Sequence, residues 1–67
     1  MSLYDYRESQ EIDAKDFGFY ALIMAAMRKA DTDNTFLLRS AFPKTFEELQ
    51  ARYNAPGGLL PGEKTNV

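Results

Sequence analysis

The sequence predicts an all-α protein, a compact bundle of three to four short helices with an irregular C-terminal tail, associated with copies of itself. Three observations carry this. Phe17 to Ala30 is the one long apolar run. Cap and stop residues divide the rest of the chain into pieces of helical length. Finally, the apolar arc of the central run is wider than so short a chain can cover: Phe19, Ile23, Ala26 and Ala30 form one row at i, i+4, i+7, i+11. Tyr20, Met24 and Met27 form a second, widened by Leu22 and Ala25.

Size makes self-association the natural remedy. A chain of 67 residues buries only roughly 60% of the surface that its unfolded form exposes. Small domains add disulfides, a metal or a partner subunit to their core. The chain has no Cys and no His, which excludes the first and leaves no ligands for a nitrogen- or sulfur-bound metal. Residues 1–58 are expected to form the oligomerising helical domain and residues 59–67 a tail.

The elements follow in order. Ser2 caps a first helix from Leu3 to about Lys15, with Asp5 at N3. Its other face is acidic: Asp5, Glu8, Glu11, Asp13 and Asp16 against Arg7 and Lys15 give residues 1–16 a net charge of −3. A solvated face explains this run more simply than recognition of a basic partner. Asp16 is the expected N-cap of the central helix, with Gly18 allowing Phe17 and Phe19 both to turn inward. Arg28 and Lys29 complement the dipole in its last turn, near Ala30.

Asp31-Thr32-Asp33-Asn34 starts like a calcium loop, but the sixth position is Phe36 where Gly is required, and the twelfth is Phe42 where Glu is required. A cap at Asp33 accounts for it better, opening a third helix from Asn34 to Ala41 with Phe36, Leu37, Leu38 and Ala41 toward the core. Pro43 stops that helix, because the residue before a proline is pushed out of the α region. A fourth helix begins either at the capping box Thr45-Phe46-Glu47-Glu48 or two residues earlier with Pro43 at N1. Phe46, Leu49 and Tyr53 make its inner face, with Gln50 and Arg52 outward. Asn54 in a left-handed conformation would close it before Ala55-Pro56-Gly57-Gly58. Leu59 and Leu60 are expected to dock, on their own subunit or on a neighbour.

Composition restricts function. Apolar residues make up 45% and charged residues 27%, the balance of a folded chain. A net charge of −2 offers no basic face for duplex nucleic acid. The apolar run ends at Arg28-Lys29, short of the ~20 residues that span a bilayer, so no membrane partner is expected. The N-terminus has neither the basic nor the apolar region of a secretory signal, which predicts a cytoplasmic location. Without His or Cys, and with carboxylates on solvated faces, the chain offers no poised base or nucleophile; no enzyme activity and no cofactor are expected.

The most site-like stretch runs from Arg52 to Gly58. Arg52, Tyr53, Asn54, Gly57 and Gly58 together supply a guanidinium, a ring, an amide and bare backbone amides, the groups that hold a phosphate and stack a base. The same residues are also good helix-stop chemistry. Arg28 and Arg39 are candidates for further cationic contacts where copies meet.

Ala41 to Glu63, Ala-Phe-Pro-Lys-Thr-Phe-Glu-Glu-Leu-Gln-Ala-Arg-Tyr-Asn-Ala-Pro-Gly-Gly-Leu-Leu-Pro-Gly-Glu, resembles a group of very short reading frames in tailed-phage and prophage genomes. The resemblance extends to Phe19 through Asn34, so it covers most of the chain. It implies a context rather than a mechanism. Small phage accessory proteins act by stoichiometric binding, either sequestering a host nucleotide signal used in antiviral defence or blocking a host protein. No catalytic residues carry over. Two readings follow: a homo-oligomer that sequesters a small anionic nucleotide, and an interaction module that inhibits a host protein or joins a virion assembly.

Overall fold

A computed structural model describes residues 1–63; the Lys64–Val67 part of the expected tail lies outside the described residues. Four α-helices succeed one another: α1 Leu3–Ala14, α2 Phe19–Lys29, α3 Thr32–Ala41 and α4 Pro43–Asn54. A single 3-10 turn, Pro56–Gly58, follows them. There is no strand among the described residues, and no helix is long and apolar enough to cross a membrane.

The starts of α1 and α3 are set by side chains that accept orphan backbone amides. Ser2 Oγ accepts from the Asp5 amide at 3.1 Å. At α3 the cap is Asp31, whose Oδ1 accepts from the Asn34 amide at 2.8 Å, and not Asp33. Two aspartates two residues apart compete there, and the earlier one gains an extra half-turn of helix.

At the α1–α2 junction the expected cap at Asp16 is replaced by Gly18. Asp16 instead adopts φ 57° and donates its amide to the Asp13 carbonyl at 3.0 Å, closing α1. Aspartate is among the few residues that tolerate this left-handed region. The consequence is that Phe17 and Phe19 do not turn inward; both are more than half exposed.

Pro43 takes the N1 position of α4, with Phe42 as its cap residue and no side-chain cap bond, so Thr45 opens nothing. The ring's fixed φ suits a first helical residue, which has no use for an amide proton. α4 closes at Asn54 without a left-handed residue at that position; the left-handed turns come later, at Gly57 (φ 62°) and Gly58 (φ 72°).

α2 packs against α3 and α4, α3 packs against α4, and the 3-10 turn folds back on α4. α1 packs against none of them. Met27, 6% exposed, is the only buried described residue. Leu22, Ile23, Met24, Leu38, Phe46 and Leu49 are half-buried around the same body. The expected core contribution of α3 shrinks to Leu38, because Phe36 and Leu37 are 68% and 62% exposed. Tyr53, expected inside, is 74% exposed. Outward placement holds for Gln50, whereas Arg52 is half-buried.

Candidate functional site

The sequence-level candidates separate into three places. Arg52 serves the C-terminal turn. Its Nη1 donates to the Gly58 carbonyl at 2.8 Å, and its two Nη atoms hold both Glu63 carboxylate oxygens at 2.7 and 2.8 Å. Glu63 Oε1 also accepts from the Leu60 amide at 2.9 Å, and Glu48 lies 3.6 Å from Arg52 Nε. The guanidinium is thus spent on a bidentate clasp across eleven residues, the strong geometry for an arginine–carboxylate pair. Gly57 and Gly58 belong to this clasp through their left-handed backbone, which any side chain would strain.

The clasp has a pH signature. Hydrogen bonding to Arg52 and then to the Leu60 amide lowers the Glu63 pKa from the ordinary 4.5 to about 2. A folded-state value below the unfolded one means that the pair contributes above pH 4.5, and that its contribution is lost as pH falls toward about 2. The Leu60 amide resonance is therefore expected to titrate in that acid window in step with Glu63. Titration at an ordinary carboxylate value would show that the clasp does not form.

The second place is a groove of about 580 Å³ lined by Arg28, Phe46, Leu49, Gln50, Tyr53 and Asn54. The Arg28 guanidinium lies 5.9 Å from the Tyr53 ring centroid, within cation–π reach. Asn54 Nδ2 donates to the Gln50 carbonyl at 3.1 Å, which holds the amide against the helix. No carboxylate lines this groove. Arg28 comes from the last turn of α2, and the other residues from one face of α4.

The third place adjoins the second. Arg39 sits 5.4 Å from the Phe46 ring centroid, in a groove of about 320 Å³ that also carries Phe36, Ser40, Pro43, Glu47 and Gln50. Phe46 and Gln50 line both grooves. Two guanidiniums thereby flank one aromatic ridge, and neither lies within salt-bridge distance of a carboxylate among the described residues.

Structure therefore brings Arg28, Tyr53 and Asn54 together, sets Arg39 next door, and directs Arg52, Gly57 and Gly58 to another task. Sequence reasoning missed Phe46, Leu49 and Gln50 as lining residues. Their signal was present: positions 46, 49, 50, 53 and 54 recur at i, i+3, i+4, i+7, i+8, the spacing of a single helix face. Among the described residues, no cluster of three or more carboxylates could hold a metal ion. No family model matches the chain, and no curated protein or solved structure matches it either.

Proposed function

We propose that the protein acts by stoichiometric binding without turnover, as a helical homo-oligomer holding a small anionic nucleotide-type molecule. The observation that supports this is the pairing of Arg28 with Tyr53 in a groove free of carboxylates. Its volume, about 580 Å³, falls in the range of small-molecule sites. In this reading Arg28 neutralises a phosphate, Tyr53 or Phe46 stacks a base, and the Gln50 and Asn54 amides meet its polar edge. Arg39 serves a second phosphate, and Arg52 contributes through the turn it holds. The phage-type resemblance supplies the setting, withdrawal of a host defence signal in the host cytoplasm.

Thermal unfolding against a panel of cyclic dinucleotides and cyclic ADP-ribose isomers tests this. A ligand at 100 times its dissociation constant is expected to add ~2.7 kcal/mol. Arg28→Ala should remove that gain while leaving the ligand-free transition nearly unchanged, since the side chain is exposed. Absence of any response across the panel, at constant protein concentration, overturns the reading. The exposed Leu3, Tyr4 and Tyr6 at the free end of α1 favour a second one, an interaction module that inhibits a host protein or joins a virion assembly. A purified host partner binding in fixed ratio, with no nucleotide response, would select it.

A further inference from the structure

One side of α2, running past the edge of α3, is apolar and largely exposed. Ala21, Leu22, Ala25 and Ala26 form it, and with Ile12 and Phe17 they line a groove of about 500 Å³ edged by Lys29. We propose that a second copy of this chain occupies the groove, α2 lying antiparallel to α2 about a two-fold axis near Ala25. This deepens the self-association in the functional reading and rests on it, but uses a different face from the Arg28 groove and needs no ligand.

Area argues for a copy rather than an occasional partner. The chain exposes 6024 Å², against about 4,300 Å² for a folded monomer of this mass. The excess, about 1,700 Å² per copy, falls within the roughly 1,000–2,500 Å² that one side of an obligate homodimer interface buries. With Met27 alone buried among the described residues, the deficit exists whenever the chain is folded. Its cover must therefore be present at the same concentration as the chain, which only the chain itself guarantees.

Shape and charge fit the same arrangement. Alanines at 21, 25 and 26 let two helix axes approach at the close end of the usual 8–10 Å separation. An isologous contact centred on residue 25 sets Lys29 opposite position 21 of the other copy, near the acidic end of its α1 at Asp13 and Asp16. Lys29 is within salt-bridge distance of no carboxylate among the described residues, and residues 1–16 carry the excess of acid it would meet.

Sedimentation equilibrium over a wide concentration range tests the proposal. The wild-type protein is expected at twice the chain mass or more. Ala25→Glu should weaken association at least tenfold, because it brings two carboxylates together at the axis, while the exposed site spares the single chain. A nitroxide on Lys29→Cys should show strong dipolar coupling between copies, and one on Ser40→Cys should not. That pair keeps the proposal testable should Ala25→Glu fail to fold. A single-chain mass throughout overturns self-association altogether. An assembled protein indifferent to Ala25→Glu and uncoupled at position 29 overturns only this face.

Discussion

Met27→Ala is expected to cost roughly 2–5 kcal/mol, the range for truncating a buried Met. A domain of this size holds roughly 3–10 kcal/mol in all, so the variant should be largely unfolded under conditions where the parent is not. The reasoning rests on placement. Met27 lies on α2, which packs against both α3 and α4, and no other described residue is buried. Its removal therefore takes away the one buried side chain among the described residues, with no second buried layer to take up the loss. Met27→Leu, which nearly conserves volume, should cost under about 1.5 kcal/mol. Urea unfolding followed by circular dichroism, at one protein concentration for all variants, separates the two. Equal midpoints for the Ala and Leu variants would show that stability does not reside at this position.

Phe46 gives the second large effect, because its ring serves packing and, in the proposed function, recognition as well. It is half-buried, lines both grooves and faces Arg39. Phe46→Ala is expected to cost about 2 kcal/mol, roughly half of the 3–5 kcal/mol for a fully buried Phe. The same change runs the two grooves together. Phe46→Leu restores apolar bulk but removes the π face, so its stability should fall by less than about 1.5 kcal/mol. Its nucleotide affinity should drop several-fold, matching the ~0.5–1 kcal/mol of an exposed cation–π contact together with lost stacking. Calorimetric titration beside urea melts resolves the two contributions. Affinity unchanged in Phe46→Leu would remove the ring from the ligand reading.

Helix number, type and order were legible in the chain, because start and stop signals are local. Ser2, Pro43 and the Pro56–Gly58 breaker act within four residues of themselves. The misplacements arose where two local signals compete. Asp31 outranks Asp33 as a cap, Asp16 closes α1 rather than opening α2, and Pro43 outranks Thr45. Burial was harder to read than helicity. Periodicity says which residues share a face, but not whether enough of the chain is left to cover that face, so Phe19, Phe36, Leu37 and Tyr53 read as core and lie outside.

The candidate site was legible in part for the same reason. Arg28, Tyr53 and Asn54 were singled out for their chemistry, yet their convergence depends on how α2 crosses α4. Arg52 was singled out too, but its partner Glu63 lies beyond two left-handed glycines, and no spacing rule reveals a clasp of that kind. Phe46, Leu49 and Tyr53 show that a face read as core can be the wall of a groove instead.

The packing order of the helices carries a kinetic consequence. α2 and α3, like α3 and α4, are chain neighbours, and α2 reaches α4 across only the 10 residues of α3, so each chain can zip its body together by closing short loops, the topology of the fastest folders. For the proposed dimer, the slow step on the way to assembly is then the meeting of two such bodies, a bimolecular event. Its observed rate should rise in proportion to protein concentration, while the helical signal within each chain recovers at a rate indifferent to dilution.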